Sequence, residues 1–98
     1  METVFADESL RRLESDPTFE GGFGREVVRA FRKRMQMIRG ARDERDFYAL
    51  KSLHFEKLKG DREGQYSMRL NQQWRLILEI EKRSNSSSVV IVSIVDYH

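Results

Sequence analysis

Residues 96 to 98 read Asp96-Tyr97-His98, directly after the apolar residues Ile94 and Val95. A carboxylate, a phenol and an imidazole in succession are three groups able to hold or move protons. Upstream, Glu56, Lys57, Lys59 and Arg62 crowd one polar segment, and Arg69 and Arg75 belong to the next. Proton carriers beside guanidiniums and ammoniums suit chemistry at a phosphodiester. Cleavage of RNA by its own 2′-hydroxyl needs a base for that hydroxyl, cations on the non-bridging oxygens and an acid for the departing 5′-oxygen. Acid–base help contributes about 10²–10⁴-fold, and electrostatic stabilisation usually more. Glu and His carry protons, and Arg matches a phosphate in bidentate geometry. No metal and no other cofactor is required. With no cysteine and only two histidines, no ligand set with metal-binding spacing stands out. The competing reading of the tail is structural, since a Tyr at a strand end often packs with its hydroxyl at the surface.

These residues need a scaffold, and hydrophobic periodicity outlines one. Thr3, Val4 and Phe5 read as a short strand. Asp7 is placed to cap a helix running through Glu14, with Leu10 and Leu13 inward. Pro17 closes it, and Gly21, Gly22 and Gly24 mark a turn. Val27, Phe31, Met35 and Ile38 then recur at spacings of four, four and three, a helical stripe that Gly40 ends. Met35 and Met37 read as core filler. Asp43 to Leu50 reads as a short helix with Phe47 and Leu50 inward. His54 to Gly64 reads as a polar loop. Gln65 to Leu70 and Trp74 to Lys82 alternate with period two, Ser84 to Ser88 reads as a hairpin loop, and Val89 to Val95, apolar on both faces, suits an interior strand.

Matching the apolar faces of the first hairpin pairs Tyr66 with Leu78, Met68 with Leu76 and Leu70 with Trp74. That register sets Arg69 directly opposite Arg75, and like charges in a cross-strand pair are destabilising. Two resolutions are open. A bound anion lies between them, or the guanidiniums part into water or toward an acid such as Glu79 or Asp96.

Composition bounds the rest. Ninety-eight residues suit one domain, spanning 1–98, with one small core, and ten aromatic residues are enough to anchor it. No apolar run approaches the roughly 20 residues that span a bilayer, and the N-terminus lacks the basic start of a signal peptide. A membrane role is not expected. The absence of cysteine fits a reducing cytoplasm. Net charge is only +2, but Arg25, Arg29, Arg32, Lys33, Arg34, Arg39, Arg42 and Arg45 crowd one stretch. That stripe either gathers phosphate or is a solvated helix face.

The stretch Leu58-Lys59-Gly60-Asp61-Arg62-Glu63-Gly64, then Tyr66-Ser67-Met68-Arg69, Trp74-Arg75-Leu76 and the final Asp96-Tyr97-His98 resemble HigB-type toxins of the RelE/ParE superfamily. The resemblance is carried from about Leu53 to His98. The N-terminal half matches only in its strand–helix–helix outline. It implies an α+β fold with two helices on a small antiparallel sheet. It also implies a ribosome-dependent mRNA endonuclease acting in the A site, and a cognate HigA-like helix-turn-helix antitoxin through which the pair binds operator DNA. By that resemblance Lys59 and Arg75 hold the phosphate, and Asp96, Tyr97 and His98 line the site, with His98 as general acid. Arg69 joins them from the register argument, and Lys57 and Arg62 from the same polar segment. The family typically carries a His two residues before its Leu-Lys-Gly, where this chain has Glu56. Glu56 is then either the general base or a surface acid with activity lost or shifted, and His54, two positions further upstream, does not automatically inherit the role.

On a ribosome, Arg32, Lys33 and Arg34 are the expected contacts to rRNA phosphates, with charge reversal at Arg32 and Arg34 expected to leave the fold intact. Two other functions fit the same outline: a ParE-like inhibitor of DNA gyrase, which lacks such a catalytic set, and a non-catalytic module acting with its antitoxin in autoregulation.

Overall fold

The computed structural model describes residues 1–96. The chain runs β1 (Glu2–Phe5), α1 (Glu8–Ser15), α2 (Arg25–Gly40), α3 (Arg45–Ala49), a single 3-10 turn (Lys51–Leu53), β2 (Glu56–Lys57), a second such turn (Gly60–Arg62), β3 (Tyr66–Arg69), β4 (Trp74–Arg83) and β5 (Ser86–Asp96). The strands form one sheet in the order β1-β5-β4-β3-β2.

α1 begins where its cap dictates. Asp7 Oδ1 accepts from the Ser9 amide at 2.8 Å and the Ser9 hydroxyl at 2.7 Å, satisfying a first-turn donor that no helical carbonyl reaches. The Ser9 hydroxyl, then its amide, hold the Asp7 carboxyl below its ordinary range. α2 carries the longer stripe: Val27, Val28, Phe31, Met35 and Ile38 are all buried. Each fully buried side chain of that kind contributes about 1.5–3 kcal/mol. Packing of this face, more than helix propensity, therefore holds α2 in place. It meets Leu10 and Leu13 of α1 and the Met68, Leu76, Leu78, Val89 and Ile91 face of the sheet.

The register of the β3–β4 hairpin is as the apolar faces require: Tyr66 opposite Leu78, Met68 opposite Leu76 and Arg69 opposite Arg75. Between β4 and β5 the pairing shifts at Ile77/Leu78, with Leu78 opposite Ile91 but Ile77 opposite Ser93. Val92 is the extra residue of a bulge. It explains why Val89 to Val95 looks apolar on both faces. Val89 and Ile91 face the helices before the bulge, and Ile94 does so after it, opposite Leu76.

Four sequence expectations are corrected. The sheet is mixed, because β1 lies parallel to β5; these are the first and last strands, with the helices and three other strands between them, so no hairpin fixes their relative direction, and period-two patterning does not encode it. The segment read as a polar loop contains β2, whose Glu56 and Lys57 pair with Ser67 and Tyr66; a charged two-residue edge strand has no periodicity to detect. Only Ser84 and Asn85 turn the last hairpin, and Ser86 to Ser88 already pair with Arg83, Lys82 and Glu81. Leu50, expected inward, is 46% exposed, because α3 stops before it and Leu53 takes the buried position.

The basic stripe is also partly structural. Arg32 donates to the carbonyls of Leu13 (3.0 Å), Asp16 (2.9 Å) and Phe19 (3.2 Å), closing the C-terminal end of α1. Arg34 Nε donates to the Arg69 carbonyl at 3.0 Å, and burial lowers its pKa. Reversing charge at these two positions breaks the fold's own bonds, against the sequence expectation. Among the described residues no helix is long and apolar enough to cross a membrane.

Hydrogen bonds from a charged donor are worth about 1.5–3 kcal/mol, so Arg32→Ala is expected to lower the thermal melt by several degrees, whereas Arg29→Ala, at an exposed position, leaves it unchanged. Asp43 supplies a pH test. Its bonds to the Arg45 side chain and amide lower its pKa from 3.8 to about 2. A group depressed on folding stabilises the fold fully above its ordinary value, and that contribution is lost as pH falls through the folded value. Melts of wild type and Asp43→Asn are therefore expected to differ near neutrality and to converge as pH approaches about 2.

Candidate active site

The sheet has two unlike faces. One carries α1 and α2. On the other, the alternation that buries Met68, Leu76 and Leu78 among the helices turns out Ser67, Arg69, Arg75 and Ile77. β5 adds Val95 opposite Arg75, and β2 adds Glu56 opposite Ser67. The segment after β2 bends back over this face. Leu58 donates its amide to the Gln65 carbonyl at 2.9 Å, and Gly60, at φ 68°, makes the reversal that a side chain would strain. The result is a cleft of about 260 Å³ lined by Leu58, Lys59, Arg62, Ser67, Arg75, Ile77 and Val95.

Arg75 lies at the centre of the cleft's polar contacts. Its Nη1 donates to the buried Ser67 hydroxyl and to the His54 carbonyl, each at 3.1 Å. Glu56 Oε1 stands 3.5 Å away. Arg69 turns elsewhere, its Nη1 lying 3.1 Å from His54 Nε2. The cross-strand pair is therefore resolved by parting: one guanidinium takes an acid, a hydroxyl and a carbonyl, and the other takes an imidazole. The acid is Glu56. Glu79 accepts from Gln65 Nε2 at 3.0 Å instead.

The predicted residues divide as follows. Glu56, Lys59, Arg62 and Arg75 come together at the cleft, with Arg69 beside them. Arg62 also donates to Gln65 Oε1 at 3.2 Å. Lys57 does not join. It pairs with Tyr66, so its side chain leaves the sheet on the opposite face. Asp96 stands opposite Trp74, one position out of phase with Arg75, and accepts from Gln73 Nε2 at 3.0 Å. Arg32, Lys33 and Arg34 belong to α2, on the far side of the sheet. There Arg25, Arg29, Arg32 and Lys33 line a separate groove of about 400 Å³ with Pro17 and Glu20. The tail residues Tyr97 and His98 lie outside the described residues.

Two participants escaped the sequence reading. Ser67 is 1% exposed and accepts from Arg75; a hydroxyl at a position alternating with buried apolar residues was the available signal. His54 adopts φ 47°, ψ 47°, left-handed backbone that is uncommon outside glycine, though His is among the residues enriched there. Only its position just ahead of the Glu56 segment pointed to it.

Chemically, a buried-stem guanidinium flanked by Lys59 and Arg62 can hold a phosphate by charge-assisted hydrogen bonds, and the adjacent carboxylate can accept a proton. Among the described residues no group of three or more His, Cys, Asp or Glu side chains gathers as a metal site.

Comparison with known proteins places the fold and the family. Among solved structures, a YoeB/ParE toxin from Agrobacterium tumefaciens superposes with a TM-score of 0.61 over 100% of both chains at 14% identity. A chain of a YoeB–YefM complex from Staphylococcus aureus does so with a TM-score of 0.59, at 20% identity, over 100% of this chain and 97% of that one. At such identities the likeness shows the fold, which is RelE-like. No curated protein matches. The family model described as HigB-like toxin, the RelE-like toxin of the type II toxin–antitoxin system HigB, matches residues 3–98. Spanning nearly the whole sequence, that match shows that the chain belongs to the HigB-like toxins of type II toxin–antitoxin systems.

Proposed function

We propose that this toxin is a ribosome-dependent mRNA endonuclease that cleaves by attack of the substrate's own 2′-hydroxyl. The observation that carries the reading is the Arg75–Glu56 pair, a phosphate-binding cation 3.5 Å from a proton-accepting carboxylate, in a cleft rimmed by Lys59 and Arg62. In this scheme the scissile phosphate takes the Arg75 fork, with Lys59 and Arg62 on its non-bridging oxygens. Glu56, displaced from Arg75 by the phosphate, accepts the 2′-hydroxyl proton. The 2′-oxygen bonds to phosphorus, the bond from phosphorus to the 5′-oxygen breaks, and His98 protonates the leaving oxygen. Tyr97 lines the site and Asp96 orients the tail. A 2′,3′-cyclic phosphate and a 5′-hydroxyl result, and no cofactor enters.

The reading brings partners with it. A HigA-like helix-turn-helix antitoxin would neutralise the toxin and carry the pair onto operator DNA, and the ribosomal A site in the cytoplasm would present the mRNA. Exposed Arg25, Arg29 and Lys33 are better placed than Arg32 or Arg34 to meet rRNA phosphates, a contact that weakens steeply with salt.

The test is cleavage of a defined mRNA in a purified translation system, with and without ribosomes. Wild type is expected to cut only with ribosomes. Removing a donor to the transition-state phosphate costs about 10²–10³-fold, expected for Arg75→Ala, and losing the base about 10²–10⁴-fold, expected for Glu56→Ala. Deleting His98 is expected to abolish cutting with the melt nearly unchanged. A folded wild type that makes no cuts would overturn the proposal in favour of a gyrase inhibitor or a non-catalytic module. Wild-type cleavage by Glu56→Ala would remove Glu56 from the chemistry.

A further inference from the structure

We propose that His54 is a positioning residue for the phosphate-binding face: its ring holds Arg69 aside while its carbonyl helps to hold Arg75 next to Glu56. The inference rests on the reading of the cleft as a phosphate site and adds a residue that the family pattern does not supply, since the position matching the family's His is Glu56.

The physical problem is the cross-strand pair. Directly opposite residues have Cβ atoms about 4.5–5.5 Å apart, so two guanidiniums there repel unless each is held. Both are held by the same residue. Arg75 Nη1 donates to the His54 carbonyl, and Arg69 Nη1 meets His54 Nε2, each at 3.1 Å. A guanidinium only donates. For this contact to be a hydrogen bond Nε2 must accept, which calls for the ring tautomer with its proton on Nδ1. A ring donating from Nε2 would face Arg69 donor to donor.

The backbone makes this double contact possible. At φ 47°, ψ 47° the chain reverses at the end of the Lys51–Leu53 turn, presenting both the carbonyl and the ring of one residue to the same sheet face. His54 is exposed, so core packing does not account for a non-glycine residue in this conformation. Strained backbone of this kind persists where surroundings hold it, and it concentrates at functional sites. Arg69 is also anchored from behind, its carbonyl taken by Arg34, which leaves the guanidinium as the part the ring controls. With Arg69 kept on the imidazole, Glu56 stays with Arg75, and the acid and the phosphate cation remain adjacent.

Two substitutions separate backbone from ring. His54→Gly accepts the left-handed conformation without strain and keeps the carbonyl, but removes the acceptor for Arg69. His54→Gln returns an acceptor oxygen at about the reach of Nε2. On the purified full chain, ring nitrogen NMR reports the tautomer, titration of the arginine side-chain signals reports affinity for inorganic phosphate, and the ribosome assay reports kcat and KM.

Wild type is expected to show the Nδ1–H tautomer, and Arg69→Ala to lose that preference. His54→Gly is expected to keep its melt, to bind phosphate roughly 10-fold more weakly, about the worth of one charge-assisted bond, and to lose kcat with KM little changed. His54→Gln is expected to recover most of both. An Nε2–H tautomer in wild type, phosphate binding by His54→Gly equal to wild type, or a Gln variant no better than Gly each overturns the proposal. If wild type shows the tautomer and the phosphate effects yet cuts no RNA, the nuclease reading fails and the positioning role stands. If wild type cuts RNA and His54→Gly matches it, the reverse holds.

Discussion

Two guanidiniums set opposite one another in an antiparallel pair cannot both point where they like. The pairing of Arg69 with Arg75 is imposed from the other side of the sheet, where Met68 and Leu76 must face α1 and α2 to be buried. A one-residue slip would send those side chains to solvent and the arginines into the core. The charge conflict is thus a by-product of core formation, and neighbouring elements absorb it. β2 brings Glu56, the turn before it brings His54, and β3 itself brings Ser67. The cleft is assembled from the contacts that relieve this one repulsion.

What could be read before the structure was known follows from the same asymmetry. Features written as local periodicity were legible: the α2 stripe, the Asp7 cap, the first hairpin's register and, through it, the confrontation of the two arginines. Features that depend on where distant segments meet were not. The parallel placement of β1 beside β5 leaves no mark on either strand. β2 is too short to alternate, so in sequence the element that delivers Glu56 to Arg75 is indistinguishable from loop. Lys57 shares the composition of its neighbours but not their direction, because adjacent residues in a strand serve opposite faces. Alignment on the Leu-Lys-Gly motif gives the place of the family's His to Glu56 rather than to His54, and a motif says nothing about backbone handedness.

The arginines of α2 carry a related lesson about charge counted along a sequence. Arg32 gives its guanidinium to the carbonyls of Leu13 near the end of α1 and of Asp16 and Phe19 in the turn that follows, and Arg34 is half-buried, bonded to the Arg69 carbonyl. Neither belongs to a solvated stripe, yet both look identical to Arg25 and Arg29 in a composition. A cation's availability is set by what its neighbours lack. Helix ends leave carbonyls without partners, and a long basic side chain nearby is a ready donor to satisfy them.

The bulge in β5 carries a consequence for how this chain tolerates change. Along a regular strand, length and facing are rigidly coupled, since removing any residue exchanges the two faces beyond it. At Val92 that coupling is suspended. Removing it would leave Ser93 opposite Ile77, Ile94 opposite Leu76 and Val95 opposite Arg75, as they are now. Removing a residue beyond it would instead slide Asp96 alongside Arg75. Val92 is an expansion joint. It lets the apolar first half of β5 suit the helices while the second half is phased independently to suit the cleft, so the strand can lose that one residue without either half losing its alignment to the sheet.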